Sequence, residues 1–157
     1  MNSYGSSNSW TSQNWGPRSY SYWLVASLSL FMLFLGTNTF IQPEAAIQGF
    51  GLTLFHPSDT AIIYIKANRD LYIGLIIGAL LLLRMRRVLI VLSILSIEMP
   101  IIDAILVLRS DGAAPASAWI HIGTVGYILV VTWILFREER SAQRTQKNSA
   151  NINTMMK

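Results

Sequence analysis

Four apolar runs constrain what this chain can fold into: Tyr20 to Ile41, Ala61 to Leu83, Val88 to Leu108 and Ala118 to Phe136. Each is close to the roughly 20 residues that a helix needs to cross a bilayer. Most of the segments between them are short, which sets neighbouring helices antiparallel. The pattern predicts an all-α polytopic membrane protein, an antiparallel bundle of four transmembrane helices. Composition agrees. Of 157 residues, 52% are hydrophobic and 13% charged, where a soluble domain carries about 25% charged residues. There is no cysteine, which removes disulfides, thiolate metal sites, iron–sulfur clusters and cysteine nucleophiles.

The flanks set domain limits and orientation. Residues 1–18 are rich in Ser and Asn, contain no acid, and read as a disordered polar tail in which Trp10 and Trp15 carry no site. The membrane domain takes 19–137, and a polar, basic tail takes 138–157, frayed beyond about residue 145. The first basic residue is Arg18, late for a secretory signal, and a single arginine disfavours a transit peptide, an alternative that the lack of acids keeps open. Nine of the twelve Lys and Arg residues lie on the side of the termini: Arg18, Arg84, Arg86, Arg87, Arg137, Arg140, Arg144, Lys147 and Lys157. Lys66, Arg69 and Arg109 lie opposite. The positive-inside rule then places both termini in the cytosol, with the chain in the endoplasmic reticulum or another endomembrane if it is eukaryotic. Basic residues at the ends of apolar runs are topology signals, so the net charge of +4 does not call for nucleic acid. The connection from Gln42 to Thr60 is long for a hairpin and is expected to form an outer flap or a re-entrant piece. Its end, Pro57-Ser58-Asp59-Thr60, reads as a helix entry.

The second run raises the functional question. Leu71 to Leu83 is uncharged but only thirteen residues long. To span a bilayer, the helix must run back through Asp70, Arg69 and Lys66. At 1.5 Å per residue, Asp70 lies roughly 21 Å above Arg84, Asp103 roughly 24 Å above Arg87, and His121 roughly 24 Å from Arg137. Thr37, Asn38 and Thr39 fall at roughly 24–27 Å from Ser21, and Glu98 at roughly 17 Å from Arg87. Separate helices thus bring polar groups to one layer. Lys66, Asp70, Gly74 and Gly78 share a helix face, and the glycines allow close approach of another helix. Ser93, Ser96, Pro100 and Asp103 form a second stripe, and Ser117, His121, Thr124 and Thr132 a third. Glu98 points about 140° from Asp103, toward another neighbour unless Pro100 kinks the helix.

Such a layer suits acid–base chemistry on a lipophilic substrate: isomerisation, cyclisation, dehydration or hydrolysis. The candidate catalytic residues are Asp103, His121, Asp70 and Glu98, with Asp103 or Glu98 as acid and His121 or Asp70 as base. Arg69, Lys66 and Asn38 are the candidate substrate-binding residues, with Arg69 orienting. The opposing reading is non-enzymatic: a structural charge clamp in a small transporter or assembly partner, which as a transporter would call for a homo-oligomer. Asp70 also has a local alternative as a helix cap, and His121 as an interfacial residue. His56 and His121 show no metal spacing. The chain has no nucleotide loop and no nucleophile elbow. The sequence calls for no cofactor, leaving haem and quinone sites open; the expected partners are a lipophilic small molecule and membrane lipid.

The segment Lys66-Ala-Asn-Arg69-Asp70-Leu-Tyr-Ile-Gly74 resembles the R-D-x-x-x-G signature of a family of small four-helix integral membrane proteins from fungi and bacteria, known by a domain-of-unknown-function label. The resemblance covers residues 20–136, and the family's aspartate late in helix three and histidine early in helix four match Asp103 and His121. It implies the fold and topology above. The frequent position of such proteins beside fungal natural-product genes implies a tailoring role in secondary metabolism.

Overall fold

The structure is a computed structural model and describes residues 15–52, 56, 60–110 and 115–156. Its elements are α1 (Tyr20–Ile41), α2 (Pro43–Phe50), α3 (Thr60–Leu82), α4 (Arg86–Ser96), α5 (Glu98–Arg109) and α6 (Ala118–Met155), with a 3-10 turn at Pro115–Ser117 ahead of α6. No strand occurs among the described residues. Among the described residues, three stretches are long and apolar enough to cross a membrane: Tyr20–Ile41, Arg86–Arg109 and Ala118–Met155. The 23 residues of α3 include Lys66, Arg69 and Asp70, so its uncharged part alone is too short to span.

The most extensive helix pair is α1 with α3, and small residues let these two helices touch. Added Cβ atoms would stand 2.6 Å from Leu71 Cγ at Gly36, 2.9 Å from Leu33 at Gly74, and 3.0 Å from Ser29 Oγ at Gly78. Ser29 Oγ donates to the Gly74 carbonyl at 2.8 Å. Ascending positions on α3 meet descending positions on α1, so the two run antiparallel. The face carrying Gly74 and Gly78 therefore looks at protein, as its spacing with Asp70 predicts, and Asp70 is itself buried.

The other side of the bundle is α6 against α4 and α5. Between the two sides lies a core of Val25, Leu28, Ile77, Leu81, Leu89, Ile128, Val131 and Leu135. Phe34, Ile65, Leu75, Leu95, Ile120 and Trp133 face outward, each more than half exposed. In water that surface would aggregate, whereas lipid chains solvate it.

Local chemistry explains the helix boundaries. Pro43 disfavours the helical region for Gln42, whose φ is −134°, and sits in the first turn of α2. Gly51 closes α2 at φ 99°, with Leu52 N–H bonded to the Ile47 carbonyl; Gly at a left-handed helix end is the common solution. The third apolar run breaks at Ile97, giving α4 and α5. Pro100 has no N–H for the Ser96 carbonyl and its ring crowds that carbonyl, so the break falls one turn ahead of the proline. α3 joins α4 through a three-residue turn at Leu83–Met85, in which Arg84 takes φ 55°.

Two ends differ from expectation. Trp15, assigned to the tail, is only 2% exposed and packs edge-on against Tyr22 at 5.5 Å. α6 stays helical to Met155, beyond the expected fraying near residue 145. Residues 1–14 and the helix entry at 57–59 lie outside the described residues.

Gly74→Leu should lower the melting temperature in detergent by several degrees, because a side chain there meets the Leu33 backbone. Gly123→Leu should change it little, since nothing lies within 4 Å of a Cβ at that position. Equal effects from both substitutions would contradict the α1–α3 seam.

Candidate functional site

At the end of the bundle covered by α2, charges from α3 and α5 form a connected group. Lys66, one turn before Asp70 on α3, donates to Asp70 Oδ2. Arg69 Nε and Nη2 donate to Asp70 Oδ1 at 3.3 Å, and Nη2 also reaches Asp103 Oδ2 on α5 at 3.4 Å. The side chain of Asp70 is 3% exposed, that of Asp103 14% and that of Arg69 40%. Two cations face two anions, so the group is neutral as a whole. An isolated charge buried among apolar side chains is costly, which makes this pairing a condition for burying Asp70.

α2 and α6 complete the layer through Phe50 and His121. The His121 Nε2–H donates to the Phe50 carbonyl at 3.2 Å, and Nδ1 is the acceptor whenever the ring is neutral. The two rings meet edge-on at 4.4 Å, and Lys66 Nζ lies 4.8 Å from the Phe50 ring centre. Phe50 is held in place by the end of its own helix. A Cβ on Gly51 would come within 2.5 Å of Ser117 Cβ and 3.0 Å of Val107, so only glycine lets the α2 terminus sit this close to α5 and the turn before α6.

These groups border a cavity of about 380 Å³. Lys66, Arg69, Asp70, Asn38, Asp103, His121 and Thr124 line its polar end, and Ala45, Ala46, Gly49 and Phe50 of α2 contribute to its wall. Val25, Leu28, Ile73, Ile77, Leu89 and Ile128 line an apolar shaft. Ser93, Ser96 and Pro100 also face the cavity, as their shared stripe with Asp103 predicts. Volume and lining match an ordinary small-molecule site, largely apolar with a few convergent polar groups.

Six of the seven candidate residues named from sequence thus share one cavity. Glu98 does not: it is exposed and absent from the lining. Five residues separate it from Asp103, turning it about 140° away, and the break at Ile97 does not bring it back. As the first residue of α5, it instead faces the positive end of that helix dipole. Asp70 is also less suited to proton transfer than its burial suggests, because cations occupy both of its oxygens. Asp103 has a single long contact and is the carboxylate most available to a ligand. Among the described residues, no group of three His, Cys, Asp or Glu converges to hold a metal ion.

Sequence reasoning missed a second polar cluster at the opposite, basic end. Glu139 on α6 is 6% exposed and accepts from Arg86 Nε at 2.8 Å and Arg87 Nε at 2.6 Å. Its neighbour Glu138 accepts from Ser19 and Ser21, each at 2.6 Å, while Trp15 Nε1 donates to Ser21 Oγ at 2.8 Å. The cluster ties the starts of α1 and α4 to α6. Burial by itself would raise the Glu139 carboxyl, but hydrogen bonds from Arg87, Arg86 and Gln143 outweigh it and hold its pKa below the ordinary value of 4.5. The signal was present as the only adjacent acids in a basic segment, with basic residues already placed opposite them by the topology.

A family model described as a domain of unknown function (DUF4267) matches residues 29–135. No curated protein and no solved structure matches the chain.

A carboxyl with a lowered folded pKa stabilises fully above its unfolded value and loses that contribution as pH falls through the folded value. The melting temperature in detergent should therefore fall as the pH drops below about 4.5. Glu139→Gln should flatten that fall and lower the melting temperature at pH 7, where it leaves Arg86 buried with a weaker partner. An unchanged acid profile in the variant would assign the effect to other carboxylates.

Proposed function

The chain belongs to the family described as a domain of unknown function (DUF4267), and we propose that it is a four-span membrane protein that performs acid–base chemistry on a lipophilic small molecule. The fourth span is α3. Its support is the antiparallel seam with α1: if α1 crosses, a 23-residue helix lying along it crosses too. The basic end faces the cytosol under the positive-inside rule.

The observation that carries the functional reading is the cavity, which joins an apolar shaft to a polar end holding one lightly engaged carboxylate, Asp103, and one ring nitrogen, His121 Nδ1. The substrate's hydrocarbon part enters the shaft and its hydroxyl, carbonyl or alkene end meets the polar layer. Asp103 donates or accepts the reacting proton and His121 acts as its counterpart. Arg69 orients the substrate's polar end and Asp103 together. Asp70 and Lys66 hold Arg69 in place, and Asn38 supplies a further hydrogen-bonding group. A role in fungal secondary metabolism would fit a reaction of this type. The competing reading, a structural clamp without chemistry, draws on Asp70, whose engaged oxygens are what a clamp requires.

Asp103→Asn preserves shape and much of the hydrogen bonding but cannot transfer the proton. Its activity on the lipophile that accumulates in a deletion strain should fall by about 10²- to 10⁴-fold, with the melting temperature near wild type. Glu98→Gln should remain active. A stable Asp103→Asn protein with full activity would leave the clamp as the better account.

A further inference from the structure

Past the apolar part of α6, Arg137, Arg140, Arg144 and Lys147 lie on one side. At 100° per residue they fall within about 80° of one another. All four are exposed, and among the described residues none of the ion pairs involves them. Glu138 and Glu139 turn away from this stripe and are consumed by Arg86, Arg87 and the serines of the α1 start. That cluster fixes the rotation of α6, so its basic side must face away from the bundle. The stripe also continues the outward apolar face, on which Leu129, Trp133 and Phe136 are exposed.

The two membrane-proximal cations fold back toward that apolar face. The Arg137 guanidinium lies 4.7 Å from the Trp133 ring centre and that of Arg140 lies 4.2 Å from the Phe136 ring centre. Side chains of a helix point toward its N-terminus, which here is toward the membrane. Each guanidinium is held at the level of an outward-facing ring, Trp133 or Phe136, and an outward tryptophan marks the headgroup depth.

We infer that the Arg137–Arg140 pair, extended by Arg144 and Lys147, is a binding site for the headgroup of an anionic phospholipid in the leaflet at the basic end. The phosphate sits between the two guanidiniums, and the acyl chains run along Leu129 and Trp133. A second copy of the chain does not fit, because two such stripes repel. The inference is independent of any chemistry in the cavity.

The test uses the full chain in bilayers of phosphatidylcholine and phosphatidylserine, with spin-labelled forms of each lipid reporting the motionally restricted fraction. The wild type should favour phosphatidylserine by about fivefold, and 1 M salt should erase the preference, since charges are then screened beyond about 3 Å. Arg137→Gln with Arg140→Gln should bring the ratio to about one, and Arg144→Gln with Lys147→Gln should reduce it only in part. These exposed sites should leave helicity and melting temperature unchanged. A wild-type ratio of one, or a ratio that survives loss of Arg137 and Arg140, would overturn the site.

Discussion

Asp70 organises the end of this protein that α2 covers. It is a buried carboxylate on a helix surrounded by apolar surface, and such a group is tolerated only when cations reach it. Lys66 satisfies it from one turn earlier on the same helix, and Arg69 from the adjacent residue. Because Arg69 also reaches Asp103, the requirement is passed from α3 to α5. The seam with α1 complements it: Gly74, one turn further on, lets α1 close over the same face. One buried charge thereby fixes which side of α3 looks inward.

The cavity follows from that arrangement. Helices that meet through charged side chains at one level and through small residues at another leave space between them, and here the space is lined by aliphatic residues toward one end and polar ones toward the other. α2 closes the polar end because Pro43 and Gly51 confine it to eight residues, short enough to bring Phe50 onto His121. The opposite end is built differently. There Arg86 and Arg87 tie the start of α4 to Glu138 and Glu139 of α6 next to the basic flank, and Ser19 and Ser21 tie the start of α1 to Glu138.

The sequence made the helices legible because their signal is composition over some twenty residues, and it made the shared depth of Asp70, Asp103 and His121 legible because helical rise converts position into height. Face assignment worked for Gly74 and Ser93 by the same arithmetic. What stayed hidden depended on side-chain contacts that no periodic pattern announces. Trp15 looks like any residue of a polar tail until Ser21 and Tyr22 are seen beside it. The short helix α2 has no apolar periodicity long enough to announce it, so Phe50, which contacts both Lys66 and His121, could not be named. Glu98 entered the candidate set on its depth, with a kink at Pro100 needed to redirect it; the break at Ile97 does not do so, and Glu98 stays exposed and outside the lining.

The packing and the proposed site both depend on Asp70 being held by Lys66 and Arg69 inside the bundle rather than by water. A double-mutant cycle of Lys66→Met and Asp70→Asn, read as unfolding free energy in detergent, addresses this most directly. Each single change should destabilise by several kcal/mol, because it weakens one side of a buried charge pair. The double variant should be less destabilised than the sum of the two, by about 1–3 kcal/mol of coupling. Additive effects, or singles that change stability by less than about 0.5 kcal/mol, would contradict the buried charge layer on which both the packing and the proposed site depend.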